Sequence, residues 1–393
     1  MKKFVHLSSM LFAFVAMTAG CSAATAENRG KEQNSELSVS ATDNEMNRGT
    51  KIQVAILLDT SSSMDGLIEQ AKSRLWNIVN TLTTLRYEGK VPRIEIALYE
   101  YGNDGIHMND YIRQVTPLTT DLDLISQKLF ALTTYGGDEY CGAVINKAVE
   151  VLDWGRNTSD MKLIYIAGNE PFTQGRISYK SAIDRALGKD IFVNTIHCGN
   201  HSSGVQGMWR DAAIRGKGKF FNIDHNARVR YYDTPYDDRI SACNDRLNAT
   251  YLGYGHDGFA RKEMQAVQDV NAKSISRSNM AERAVSKSAS VYKNSSWDLV
   301  DRVKEDKDAL NNIRQSDLPE ELRNKSKVEI QKVIAGKEAE RAAIQKEISE
   351  LAKKRRDYID KQLKNEDSGD DLGKAINESI LAFANQKGYA ISK

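Results

Sequence analysis

One carboxylate and two hydroxyls follow the first apolar run of the chain at alternate positions. The run 52–58 ends in Asp59-Thr60-Ser61-Ser62-Ser63, and a loop leaving a buried strand can aim Asp59, Ser61 and Ser63 at one point. Such oxygen ligands suit a hard divalent cation. The carboxyl end of a strand is also where open α/β sheets bind ligands. The spacing predicts a metal site; the alternative is that the hydroxyls only cap the next helix.

Alternating strands and helices must position this loop. Apolar runs typical of strands recur along the first half of the chain, separated by segments with the apolar spacing of helices. The strands are expected at 52–58, 94–101, 111–118, 161–167, 191–197 and 219–223. Crossover helices between strands imply a mainly parallel sheet covered on both faces. We predict a doubly wound α/β domain over residues 51–224, with the strand at 111–118 at a sheet edge.

Together these features resemble the von Willebrand factor type A domain. The resemblance rests on the β/α alternation, the loop 59–63 and the pair Gly136-Gly137 before a helix, and it covers about residues 51–224. It implies a metal-ion-dependent adhesion site built by three loops on one edge of the sheet. It also implies that an Asp or Glu of a protein ligand completes the coordination of the ion.

The second and third loops depart from the pattern of this family. The second reads Tyr135-Gly136-Gly137-Asp138-Glu139 and places Asp138 where the family has a threonine. The third reads Gly168-Asn169-Glu170-Pro171 and places Gly168 where the family has an aspartate. We interpret the two departures as compensation, in which a carboxylate is lost from the third loop and gained in the second. The alternative is that Asp138 only caps the helix after it.

The expected site therefore keeps two negative charges opposite a divalent cation. The expected ligands are Asp59, Ser61, Ser63 and Asp138, with Glu139 and Glu170 as additional ligands, direct or through water. Mg²⁺ is the expected ion, with Ca²⁺ and Mn²⁺ as alternatives. Because the loaded site is near neutral, it tolerates an incoming carboxylate from a protein ligand.

The N-terminus has the features of a secretory signal. Lys2 and Lys3 precede the apolar run 4–17, and Ala19-Gly20-Cys21 resembles the bacterial lipobox, in which the cysteine is lipidated. Ala24-Thr25-Ala26 is a competing cleavage site. We predict a lipoprotein signal peptide over 1–21 and a flexible polar tether over 22–50. The protein would be lipid-anchored at the bacterial cell envelope, facing the periplasm or the cell surface.

The remaining cysteines could pair or react. Cys141 and Cys198 are both expected near the upper rim of the sheet, so a disulfide between them is possible, and Cys243 is an equal competitor for either partner. A catalytic pair of Cys141 and His197 lacks any known nucleophile motif around it. Phosphate-binding and hydrolase motifs are absent from the sequence, so we predict no enzyme. The net charge of +2 gives no overall attraction to nucleic acid.

The second half of the chain is charged and helical. Residues 225–258 are expected to form a connecting helix and a seam, and 259–393 a helical extension. Isoleucines in this extension follow a heptad that Lys337, Arg341 and Arg355 interrupt, which favours a helical hairpin partly packed on itself over a long coiled coil. The predicted function is metal-dependent protein binding, for adhesion, recognition or assembly. The alternative is an envelope scaffold that acts through its helices and has a degenerate metal site; a hydrolase is the third hypothesis.

Overall fold

The computed structural model describes residues 49–227, 229–363 and 372–392. The predicted signal peptide, Cys21 and nearly all of the tether lie outside the described residues. From Thr50 onward the chain forms one compact unit, so the sequence boundary expected at 258/259 is not a boundary between compact bodies. No helix among the described residues is long and apolar enough to cross a membrane.

A six-stranded sheet has the order β4-β3-β1-β5-β6-β7, and a two-stranded sheet pairs β2 with β8. The strands are β1 Lys51–Asp59, β2 Leu85–Tyr87, β3 Arg93–Tyr101, β4 Ile112–Thr119, β5 Met161–Gly168, β6 Ile191–Cys198, β7 Lys217–Ile223 and β8 Tyr389–Ile391. All neighbours in the large sheet are parallel except the edge strand β4. The predicted doubly wound sheet is confirmed. Its central strand β1 ends at Asp59.

Helices cover both faces of the large sheet. They are α1 Asp65–Thr83, α2 Leu122–Phe130, α3 Cys141–Val151, α4 Tyr179–Gly188, α5 His201–Gln206, α6 Trp209–Arg215, α7 Asp237–Asn248, α8 Gly258–Ile275, α9 Arg277–Ser288, α10 Leu299–Glu305, α11 Lys327–Leu363 and α12 Leu372–Gln386. Alternate residues of β1 enter two separate apolar cores. Val54 and Ile56 join the core that contains α1, whereas Ala55 and Leu57 join the core that contains α3 and α4, as the two-residue period of a strand requires.

The C-terminal helices pack onto the first of these cores. Helices α9 and α12 lie against α1, and α8 lies against α2. Helix α11 runs for 37 residues and packs mainly on α7, α9 and α10. The expected hairpin packed on itself is therefore wrong, because the isoleucines of α11 are used elsewhere. Ile344 and Ile348 are buried in the main core.

The arginines that interrupt the heptad of α11 are buried ion-pair anchors. Arg341 binds Asp298 at 2.7 Å, and its guanidinium lies 4.1 Å from the ring centroid of Tyr251. Arg355 binds Asp237 at 2.8 Å. The apolar seam of a coiled coil does not accommodate buried arginines. A helix that packs on a surface with both apolar and acidic side chains can bury them as ion pairs.

Candidate metal centre

Asp59 ends the central strand and is completely buried. Its Oδ1 accepts a hydrogen bond of 2.7 Å from the Ser61 backbone N–H, while its buried Oδ2 has no donor. The Ser61 and Ser63 hydroxyl oxygens lie 3.2 Å apart. Neither hydroxyl caps the short helical turn or the helix that follows. The capping alternative therefore fails, and the loop presents one unpartnered carboxylate oxygen beside two hydroxyls.

The second carboxyl group at the site belongs to Glu139. It is buried and contacts both the Asp59 carboxyl and the Ser61 hydroxyl. Asp138 is exposed, and its Oδ2 accepts a hydrogen bond of 3.0 Å from the Tyr140 hydroxyl. Of the two acidic residues of the second loop, Glu139 is the one that contacts Asp59, and the role of Asp138 as a ligand stays a prediction.

Backbone contacts hold the second loop against the loops that follow β1 and β3. The Gly136 carbonyl accepts a bond of 2.5 Å from the Asp104 N–H, and the Tyr135 N–H donates to the Thr60 carbonyl at 3.0 Å. At Gly137 an added Cβ would lie 2.5 Å from the Gly102 carbonyl oxygen, so the two loops touch through glycine backbone. Beyond this point the chain forms neither helix nor strand up to α3, and within it Asp138 is exposed whereas Glu139 is buried.

The two facing carboxyls perturb each other. Burial, together with the negative charge of Asp59, raises the pKa of Glu139 to about 9. Burial also raises the pKa of Asp59. Two carboxylates in contact repel each other, so without a cation burial favours a proton on one of them. A divalent cation would take the place of that proton and fill the open coordination of Asp59 Oδ2.

The third loop supplies no carboxylate to replace the one that Gly168 lacks. A Cβ on Gly168 would lie 2.6 Å from the Tyr101 hydroxyl and 3.1 Å from Asp59 Oδ2. Tyr101 donates from this position to the Ala167 carbonyl at 3.0 Å, so its ring fills the space an aspartate would need. The sequence analysis did not identify Tyr101 as a residue of the site. The only feature that could have indicated it is its position at the end of β3.

The rest of the third loop reaches the site by other contacts. Glu170 is exposed, and its backbone N–H donates to Glu139 Oε2 at 3.3 Å. The Asn169 side-chain amide donates to the Ser63 hydroxyl at 3.2 Å. The structure thus brings Asp59, Ser61, Ser63 and Glu139 together and leaves Glu170 at the margin.

Gly168→Ala is expected to destabilise the protein by about 1–3 kcal/mol, as overpacking of a filled core does. The new methyl group must displace the Tyr101 hydroxyl, which is fixed in a buried ring. Gly336→Ala in α11 is the matched control, because nothing lies within 4 Å of a Cβ there; it should stabilise by about 0.5–1 kcal/mol. Urea unfolding measures both, and equal stabilities would contradict the filled-space explanation.

The residues present fit a divalent cation. Two carboxyls and two hydroxyls converge, which is an oxygen donor set of the kind that Mg²⁺ takes together with water. Among the described residues no group of three or more His, Cys, Asp or Glu side chains is placed to hold a metal. The two acidic side chains that meet at this point are those of Asp59 and Glu139.

The possible disulfide is absent from the structure. Cys141, Cys198 and Cys243 are free and buried. Cys141 belongs to the core on one face of the sheet and Cys198 to the core on the other, so the sheet separates their side chains. The sequence predicted both cysteines near the upper rim of the sheet, but it does not show which face of the sheet each side chain enters.

Cys141 and His197 do not form a nucleophile–base pair. Burial raises the pKa of the Cys141 thiol, whose neighbour is the Tyr101 hydroxyl at 3.8 Å. His197 Nδ1 instead contacts Asn222 Oδ1 at 2.9 Å. A buried thiol that resists deprotonation is a poor nucleophile.

Residues 53–225 match the family model of the von Willebrand factor type A domain. This range is nearly the one expected from the sequence. The match covers less than half of the 393 residues. No curated protein sequence matches the chain.

Several solved structures are similar to the chain. One is proximal thread matrix protein 1 from the mussel byssus, with a zinc-occupied MIDAS motif, at 14% identity and TM-score 0.35, covering 44% of this chain and 42% of that one. An aerotolerance-related membrane protein from Bacteroides fragilis is 16% identical, with TM-score 0.31, and covers 44% of this chain and 92% of that one. The pilus adhesin SpaC from Lactobacillus rhamnosus GG is 11% identical, with TM-score 0.34, over 45% and 28% of the two chains.

Proposed function

We propose that the type A domain of this chain binds a divalent cation and, through it, a carboxylate of a protein ligand. The protein would act in recognition, adhesion or assembly. The family resemblance supports the protein-binding role. The geometry supports the metal, since four oxygen-bearing side chains converge at the carboxyl edge of the sheet. Asp59, Glu139, Ser61 and Ser63 would hold the ion, and the ion would supply the positive charge that attracts the partner's carboxylate.

One observation carries the metal proposal. Asp59 Oδ2 is buried without a hydrogen-bond donor, and the Glu139 carboxyl lies against the same residue. A buried acceptor without a donor costs about 1–3 kcal/mol, and more when it is charged. A cation bound to both carboxylates removes this cost and the repulsion between them.

Isothermal titration of the protein with Mg²⁺, Ca²⁺ and Mn²⁺ tests the proposal. The wild type should bind at least one of these ions, and Asp59→Ala should bind none. If millimolar concentrations of all three ions give no heat of binding and no thermal stabilisation, the proposal of a metal site is refuted. The alternative of a scaffold with a degenerate site would then remain.

Metal affinity is expected to rise with pH. The ordinary pKa of glutamate is 4.5, and that of Glu139 is raised to about 9. Without an ion, the folded protein therefore keeps a proton that the unfolded chain has lost, and its stability falls as the pH rises from 4.5 to 9. The ion must displace this proton, so its affinity should increase up to about tenfold per pH unit and level off near pH 9. Titrations at pH 6, 7.5 and 9 measure the slope; a flat profile would refute a shared proton.

We also propose that Cys21 anchors the protein to a membrane of the bacterial envelope. The support is the lipobox-like Ala19-Gly20-Cys21 after an apolar run. Metabolic labelling with a fatty acid should mark the wild type in the membrane fraction and leave Cys21→Ser unlabelled. Labelling of Cys21→Ser to the same extent would exclude lipidation at this residue.

A further inference from the structure

Five exposed carboxylates surround the candidate metal centre. They lie on the loops and the helix start at the carboxyl edge of the sheet, and we call them the acidic rim. The acidic rim consists of Asp65, Asp104, Asp110, Asp138 and Glu170. Contacts between the loops place them around one opening.

Each member of the acidic rim is tied to the site by a neighbour. Thr134, from the second loop, donates to the Asp65 carboxylate. A Cβ on Gly136 would lie 3.7 Å from Asp104 Oδ2 and 3.9 Å from the Ser62 hydroxyl. The rim therefore reaches the loops that carry the metal ligands.

The remaining members lie on the other side of the opening. Asp110 precedes Tyr111, whose ring centroid is 6.2 Å from that of Tyr140. Tyr140 in turn donates to Asp138. Glu170 borders the site through its backbone bond to Glu139.

This edge carries a charge that the whole chain does not have. The segments 59–66, 101–111, 131–140 and 168–178 together contain seven Asp or Glu residues and one arginine, whereas the chain has a net charge of +2. Carboxylates elsewhere on the surface form ion pairs, such as Asp184 with Arg215 at 2.5 Å. Within the described part of the chain no member of the acidic rim is in a salt bridge. One divalent cation leaves most of this charge in place.

Two further observations indicate a ligand at this edge. The buried Asp59 Oδ2 has no hydrogen-bond donor, and backbone hydrogen bonds join the loops that carry the acidic rim around the strand end that holds Asp59. Large apolar side chains are also exposed in the same loops: Tyr135 is 65% and Met108 56% accessible. Aromatic and methionine side chains are enriched in protein–protein interfaces.

We propose that the partner of this domain is a basic protein segment, rich in Lys and Arg, that also offers one carboxylate to the bound ion. The inference rests on the proposed metal-dependent function and adds the charge of the partner to it. The carboxylate binds the ion, the cationic side chains pair with the acidic rim, and Tyr135 and Met108 provide apolar contact. An acidic or neutral segment would meet repulsion or no attraction from the rim.

Selection from a random peptide library displayed on phage tests this inference. The full-length protein loaded with Mg²⁺ is the target, and elution with a chelator retains only ion-dependent binders. Selected sequences should be enriched in Lys and Arg and contain an Asp or Glu. Synthetic peptides from the selection should bind with an affinity that falls as salt rises.

Matched variants distinguish the effect of the acidic rim on peptide binding from the effect of the overall charge of the protein. One variant of the rim carries three changes, Asp104→Asn/Asp110→Asn/Asp138→Asn. Its affinity for these peptides should be lower than that of the wild type on the order of tenfold at low salt. Its Mg²⁺ affinity should stay within about threefold of the wild-type value, because exposed charges are screened. Glu320→Gln/Glu321→Gln/Glu350→Gln makes the same charge change in the helical region and should have no effect. Selection of neutral or acidic peptides, selection of none, or unchanged binding by the rim variant would overturn the inference while Mg²⁺ binding stands. Loss of Mg²⁺ binding by the wild type would instead overturn the metal-dependent function beneath it.

Discussion

Replacing Glu139 by glutamine is expected to reduce divalent-cation affinity by at least about 100-fold, since loss of even an outer hydrogen-bonding partner of a metal ligand costs about 10- to 100-fold. Glutamine has nearly the same shape but offers no negative charge beside Asp59. In the absence of metal the same change should stabilise the fold at neutral pH, because glutamine, unlike Glu139, needs no proton uptake to be buried beside Asp59. Isothermal titration measures the first effect and thermal unfolding in chelator the second.

Asp138→Asn is the matched control for this prediction. Asp138 is exposed and bonded to the Tyr140 hydroxyl, so we expect Mg²⁺ affinity within about threefold of wild type. The opposite pattern, with metal binding lost in Asp138→Asn and kept in Glu139→Gln, would show that the register expected from the sequence is right and that the loop turns the other way in solution.

Replacing Arg283 by methionine is expected to destabilise the whole compact unit by about 3–5 kcal/mol. Arg283 is completely buried and binds Asp269 at 2.9 Å and Asp123 at 2.5 Å. Its guanidinium also lies 4.4 Å from the ring centroid of Trp76. Methionine matches its apolar length but leaves Asp123 buried without a cation, while Asp269 keeps only Lys287, at 2.9 Å.

This prediction also tests whether the C-terminal helices fold with the sheet. Asp123 lies on α2 and Trp76 on α1, whereas Arg283 lies on α9, so the cluster joins the two halves of the chain. Urea unfolding followed by tryptophan fluorescence and by circular dichroism should give one shared transition. Two separate transitions, with Arg283→Met affecting only one, would contradict a single cooperative unit.

Arg277→Met is the control for Arg283→Met. Arg277 also pairs with an aspartate, Asp233, at 3.0 Å, but both side chains are more than half exposed. An exposed ion pair contributes about 0–1 kcal/mol, so this change should be nearly neutral. A similar loss in the two variants would indicate that the effect comes from shortening an arginine and not from a buried charge.

Local patterns accounted for the sheet and for the first loop of the site. The apolar runs and their spacing predicted the six strands of the large sheet and the edge position of β4. They did not predict the short pair of β2 and β8, which joins residues near Leu85 to residues near the C-terminus. Three-residue strands carry too little pattern to be recognised, and their pairing depends on where the last helix ends.

Residue order alone indicates that a buried strand ends at Asp59, that Ser61 and Ser63 follow in the loop, and that the third loop lacks the carboxylate usual in the family. These features follow from the order of residues, because that order sets the period of the strands and the position of the loops. The tertiary structure shows which acidic residue of the second loop contacts Asp59: Glu139 is buried beside it, whereas Asp138 is exposed. It likewise decided that Cys141 and Cys198 lie on opposite faces and that Arg341 and Arg355 are anchors. Each of these outcomes depends on a neighbour far away in the chain, which local spacing does not encode.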